Sequence, residues 1–481
     1  MCIICVSTVS IATLVAPTQA PNQAPPQSLT QVSSQTIVMN SEKTIQKSNS
    51  KNISCNKSNL NKIKNNTICI KNGKVYKWAK IKNVPTPKPT TNQSIIYQAP
   101  TKPSANVELC KIKENNSNRI RWAVSSLPTG FPSFTHAIKT GTVKWALIPL
   151  DFPDLVGEEN FSSRVDDQMK LLSDWFTVVS EGKFKVEWVV ADKWVRLPNP
   201  TTEYKIDRSD NLDRVPNGLK LWNDAMLQSD KTFDFTGIQT VNFILPKGQS
   251  FIQETSQGFP WDAAVKNLVT NEGSVSSFSI PGKFVDSDKR QYWSYWAHEF
   301  GHAMAIPHIG SSREPNAYMG LDIMSNQDGE SKELSGWLRF VTGWLSDERV
   351  YCKQLSELET TEITLVPLSG SDNGIKMAVV PISESKAIVI ESRRESKFSC
   401  TMPSKRNGVL AYLYDATLSH GENFLQPVTP VGRAVEYSSN CPVVGYPNPI
   451  LYKGEKISVE GITIEIIDSL NYDKIRISKN G

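Results

Sequence analysis

The chain has 481 residues, room for roughly two or three domains, and its 39% hydrophobic and 9% aromatic content allows substantial buried cores. The net charge of +5 is unevenly spread: residues 1–100 hold twelve lysines and one acid, Glu42, for +11, which leaves −6 for the rest. A basic arm on a mildly acidic body argues against a nucleic-acid enzyme; it suits a solvated arm, or one held by cell-wall or other anionic surface polymers.

Residues 1–20 carry an apolar run from Cys2 to Ala16, too short to span a bilayer, followed by Pro, Gln, Ser and Thr. That texture reads as a signal peptide, so export to the cell exterior or surface is the expectation. No later segment reaches the ~18 apolar residues of a membrane helix. With Cys2 and Cys5 removed, Cys55, Cys69, Cys110, Cys352, Cys400 and Cys441 remain, an even count that favours disulfides in an exported chain. Only Cys55–Cys69 is suggested by proximity, and no CxxC pair points to a thiolate metal site.

Residues 21–50 are low-complexity and polar and predict disorder. Over 51–82, two cysteines, the Asn72–Gly73 turn and the aromatics Tyr76 and Trp78 predict a small module of two short strands stapled by a disulfide. A Pro-rich linker over 83–117 follows, and a body over 118–350. There, Gly141–Phe152 reads as a buried strand ending in an acidic turn, where Asp151 and Asp154 either cap the turn or join a Ca2+ site. Val165, Met169, Leu172, Trp175 and Phe176 recur at helical spacing. Gly182–Leu197 alternates like a strand pair, and Thr240–Pro246 is another apolar strand. Strand, helix, strand, strand, then a further helix is an α+β pattern. Over 351–481 the runs ITLVPL, IKMAVVPI, KAIVIES, GVLAYLY, KISVEGITIEII and YDKIRIS predict an all-β domain, a sandwich or jelly roll.

The chemistry concentrates in HEFGHAMAIPH, which holds three of the chain's five histidines. His298 and His302 are four apart, so a helix puts both on one face within reach of one ion. Glu299 is placed to take a proton from a water at that ion, and His308 supplies a third nitrogen once the helix stops. Three neutral imidazoles leave a fourth position of a Zn2+ ion open, as catalytic sites require. Trp293, Tyr295 and Trp296 precede the motif as core, with one of them a candidate for the cleft wall.

His298-Glu299-x-x-His302-x-x-Ala305-x-x-His308 resembles the metzincin signature HExxHxxGxxH. LDIMS (Leu321–Ser325) resembles the metzincin Met-turn, which implies that Met324 packs beneath the ligands. Together with KWALIPLDFPDL, LSGWLRFVTGWL (Leu334–Leu345) and IVIESRR (Ile388–Arg394), these segments are similar to the immune inhibitor A family of secreted bacterial metalloproteases, over roughly 140–415. The resemblance implies a zincin-like catalytic domain followed by a β-sandwich, and proteolysis of proteins or peptides. Two positions depart from the pattern. Ala305 stands where metzincins carry Gly, at about 1 kcal/mol if the backbone turns there with positive φ. His308 stands where immune-inhibitor-like sequences often carry Asp; both bind zinc.

Tyr318, shortly before the Met-turn, is a candidate to stabilise the oxyanion of the reaction. His136 and His420 have no partners nearby in sequence and receive no role. The sequence therefore predicts an exported, monomeric zinc endopeptidase. The alternatives are a surface adhesion protein with a vestigial zinc site, and a zinc hydrolase of wall peptides or glycoproteins.

Overall fold

The computed structural model describes residues 55–57, 63–64, 67–72 and 75–80 of the arm. From 106 to 480 it describes all but 115–126, 134–136, 207–210, 254–255, 259–268, 281, 287–290, 311–317, 319 and 442–444. The expected signal and low-complexity segments, most of the Pro-rich linker and His136 lie outside the described residues. By its contacts the chain divides into two units, Met1–Asn92 and Gln93–Gly481.

In the first unit β1 (Ile63–Lys64), β2 (Thr67–Asn72) and β3 (Val75–Lys80) form an antiparallel sheet, one strand more than expected. Asn72 pairs with Val75 at the turn end of the β2–β3 ladder; the turn residues themselves lie outside the described residues. Cys55 and Cys69 are bonded, as their proximity suggested, and Cys69 is fully buried.

In the second unit the expected linker ends earlier than 117. Val107, Cys110 and Ile112 are buried in the main core, and Cys110 is bonded to Cys352. Three apolar residues with that much to bury cannot remain in a solvated spacer.

β4 (Gly141–Asp151), α1 (Asp166–Val179), β5 (Phe184–Val190), β6 (Val195–Arg196), α2 (Asn211–Ser229), β7 (Ile238–Ile244), β8 (Ser256–Gly258), the pair β9 (Val269–Thr270) and β10 (Gly273–Ser274), β11 (Ser277–Ile280), α3 (Tyr292–Ala303) and α4 (Gly336–Thr342) follow in order. The main sheet runs β5-β4-β7-β11-β8. Its first four strands are parallel and β8 is antiparallel at the edge. The Gly182–Leu197 run is not a hairpin: β5 and β6 both pair in parallel with β4. β4 is buried on both faces because layers cover both. Val143, Trp145 and Leu147 face α1 and α3 in one core cluster, whereas Ala146, Ile148 and Leu150 face Leu221, Ala225 and Met226 of α2 in another.

The remaining strands are β12 (Val350–Cys352), β13 (Thr361–Leu365), β14 (Met377–Pro381), β15 (Lys386–Arg393), β16 (Gly408–Asp415), β17 (Leu425–Pro427), the pair β18 (Val435–Glu436) and β19 (Tyr446–Pro447), β20 (Lys456–Val459), β21 (Ile462–Ser469) and β22 (Asp473–Lys479). Sheets β12-β14-β15-β16-β17 and β13-β22-β21-β20 pack face to face on a core of Ile363, Val380, Ile388, Ile390, Ile464 and Ile475. This is a β-sandwich. In the second sheet β21 and β22 alternate buried and part-exposed residues, since one face meets solvent. In the first, β14 to β16 read as continuous apolar runs, because their other face (Val379, Val389, Leu410, Tyr412) joins the core of the mixed α/β half. The second unit is thus a mixed α/β half and a β-sandwich sharing one interface. No described helix is long and apolar enough to cross a membrane.

Candidate metal centre

Helix α3 runs Tyr292–Ala303, and all of it is buried except Tyr295 and Glu299, which are half-buried. These two lie four residues apart on one open face; His298 and His302 border the same face. The back of the helix is fixed by aromatic contacts: Phe300 lies 4.2 Å between centroids from Trp145, and Trp296 lies 5.6 Å from Trp188. Of the three aromatics before the motif, Trp293 and Trp296 are therefore core, and Tyr295 is the one at the rim.

The helix ends just before the third histidine of the motif. Ala305 N–H donates to His302 O at 2.8 Å and Ile306 N–H to Gly301 O at 2.9 Å. This bond pair is that of a Schellman ending, whose left-handed position is usually glycine. Here it is Ala305, at φ 64°. The turn implied by the signature is kept despite the missing glycine.

The reversal brings His308 back to the helix. Its Nε2 lies 2.8 Å from Nε2 of His298 and 2.9 Å from Nε2 of His302. A carbonyl can only accept, so the contacts His298 Nδ1 to Ile323 O (2.8 Å) and His302 Nδ1 to Ile306 O (2.9 Å) place both protons on Nδ1. Both Nε2 lone pairs then point at a third Nε2 that can carry at most one proton. Hydrogen bonding cannot satisfy this set, whereas a cation can. An ion with ligand bonds of about 2.0–2.1 Å in tetrahedral geometry would space the nitrogens at roughly 3.3 Å, a few tenths wider than they stand. Burial pushes the imidazole pKa values down, that of His298 to about 4 and those of His302 and His308 well below the usual histidine range, with repulsion from the neighbouring histidines adding to the effect for the latter two. Neutral rings are what metal ligation requires. Among the described residues these three histidines are the one group of potential ligands that converges.

Met324 is fully buried and lies under the helix: a Cβ built on Gly301 would be 3.0 Å from its Sδ. Its turn also supplies Ile323 O to His298, and Met324 O accepts from Ile309 N–H at 3.1 Å. Asp322 ties the turn to α4, accepting from Met324 N–H at 2.7 Å and Ser335 N–H at 2.6 Å. Burial raises the Asp322 carboxyl to about 6, against the backbone bonds that lower it.

Two expectations change. Tyr318 is fully buried. Its phenol oxygen accepts from Arg393 at 3.3 Å and its ring packs edge-on to Tyr412, an interior position that does not favour the oxyanion role. Asp151 and Asp154 tie their turn to distant segments: Asp151 is paired with Arg196 at 2.6 and 2.8 Å, and Asp154 accepts from Thr201 N–H and Oγ1 at 2.9 and 2.8 Å; among the described residues neither belongs to a converging group of three potential metal ligands.

His420, given no role from sequence, stands at the site. Its Nδ1 accepts the His308 backbone N–H at 3.0 Å, and the two rings stack at 5.0 Å between centroids, 28° apart. Four of the five histidines thus share one locus, an association that no local motif signals.

No family model and no curated protein matches the chain. Among solved structures, wild-type OgpA from Akkermansia muciniphila is similar in two crystal forms. They are 11% and 10% identical, with TM-scores of 0.27 and 0.25, covering 75% and 76% of this chain and 100% and 97% of theirs. Catalytically inactive OgpA in complex with an O-glycopeptide substrate has a TM-score of 0.23 at 9% identity, covering 76% of this chain and 96% of that one. Likeness at these TM-scores carries no argument about fold or activity.

Proposed function

We propose that the protein is an exported zinc endopeptidase in which His298, His302 and His308 hold the ion and Glu299 is the general base. The observation that carries this reading is the set of three facing Nε2 atoms, two of them fixed as lone pairs by carbonyls on Nδ1. When bound, zinc supplies Lewis acidity toward a carbonyl and acidifies an attacking water. Glu299 takes the proton of that water and passes it to the departing amine nitrogen as the C–N bond breaks. A structural site has no use for a half-exposed carboxylate on the ligand face, which favours catalysis over adhesion. Met324 under the helix and the left-handed turn at Ala305 support a metzincin-type centre of the immune inhibitor A kind. Three disulfides suit an oxidising compartment.

Casein digestion by the purified chain tests the proposal, with and without chelator and beside Glu299→Gln. Cleavage is expected, with loss in chelator and recovery on adding zinc. Glu299→Gln should retain zinc and lose about three orders of magnitude in turnover, since both proton transfers go with it. Near-normal turnover in that variant would show the base to be another group.

A further inference from the structure

We propose that His420 is a positioning residue of the metal centre: the β-sandwich half holds the third ligand in place by capping the His308 peptide N–H. The inference rests on the metal reading above and extends it to a side chain 112 residues away in sequence. The three ligands are not supported alike. His298 and His302 are anchored twice, by the helix and by the carbonyl that each Nδ1 finds. His308 lies beyond the helix, and among the described residues its Nδ1 meets no such carbonyl. Its support comes through the backbone instead. Its N–H donates to His420 Nδ1 at 3.0 Å, its carbonyl accepts from Gly421 N–H at 3.1 Å, and Gly310 N–H donates to Glu422 O at 2.9 Å.

The gripping loop is itself braced. Glu422 accepts from Ser419 N–H at 2.6 Å through its carboxylate, and its own N–H donates to Ser419 O at 2.9 Å. Thr129 Oγ1 holds Leu418 O at 3.3 Å from the other half. Because Nδ1 of His420 accepts, the ring's proton is on Nε2, so His420 is no fourth ligand through that atom and stays outside the ion's shell. Its function is that of an outer partner, fixing where a ligand stands.

The test uses the full chain, stripped of metal and titrated with zinc against a chromophoric chelator, as wild type, His420→Asn and His420→Phe. Asn keeps an acceptor where Nδ1 was, and Phe keeps the stacked ring without one. Zinc affinity of His420→Asn should stay near wild type, and that of His420→Phe should fall about 10–100-fold. The rise in Tm on adding zinc should shrink in His420→Phe alone. A merely packing role predicts the reverse order, Phe tolerated and Asn impaired. That order, or equal affinities in all three, overturns the inference and leaves the metal reading standing. Absence of zinc binding by the wild-type chain overturns both.

Discussion

Lys332 shows at the scale of a residue how burial sets chemistry in this molecule. It is 2% exposed, and its Nζ lies 3.1 Å from Gly329 O and 3.3 Å from Cys400 Sγ. Desolvation lowers its ammonium pKa from 10.5 to about 8. Between those values the unfolded chain binds a proton that the fold does not, so this group makes stability rise with pH across that window, by about 3 kcal/mol at most. Urea unfolding of Lys332→Met should lack this rise between pH 8 and 10, and a parallel rise in both proteins would contradict the account. The same local view explains what was legible at the site. The convergence of His298 and His302 was readable because helix geometry converts their spacing into a shared face. His420 was not, since its link to His308 is a tertiary contact with no local pattern. Tyr318 misled because a tyrosine near a Met-turn looks accessible in sequence, while Arg393 and Tyr412 of distant strands enclose it.

At the scale of elements, periodicity gave the type of most segments and could not give their partners. β4, α1, β7, β13 to β16 and β20 to β22 fall where the apolar spacing put them, whereas the short β12, β17, β18 and β19 carry no such run. β5 and β6 alternate as a hairpin would, yet each adds to β4 in parallel, a choice made by pairing across the sheet. KISVEGITIEII is two strands because Glu460 and Gly461 both take positive φ, 49° and 79°, as a tight hairpin needs. The helix ending at Ala305 carries the clearest energetic test. A non-glycine residue at φ 64° is strained. Ala305→Gly should therefore raise stability by about 1 kcal/mol, read as a higher urea midpoint with unchanged zinc stoichiometry. A loss of stability would mean that the turn does not adopt this conformation in solution.

At the scale of the whole molecule, the two halves of residues 106–480 are not independent. Val379, Val389 and Tyr412 of the sandwich belong to the same core as Trp337 and Met324. Glu391 of β15 accepts from the Gly336 N–H that begins α4 at 2.7 Å, and Arg393 donates to Leu321 O beside the Met-turn at 2.9 Å. The sequence marked LSGWLRFVTGWL and IVIESRR as belonging to one resemblance; the fold gives the physical reason, since these segments meet. A boundary at 350 follows the change of texture but cuts through this shared interface.

Every scale converges on whether three imidazoles hold one divalent ion. Anomalous diffraction at the zinc edge, from crystals of the full chain grown with zinc, measures this most directly. The account predicts a single strong peak about 2.0–2.1 Å from Nε2 of His298, His302 and His308. Density with no peak there, or a peak bound by other residues while these rings stand apart, would contradict it.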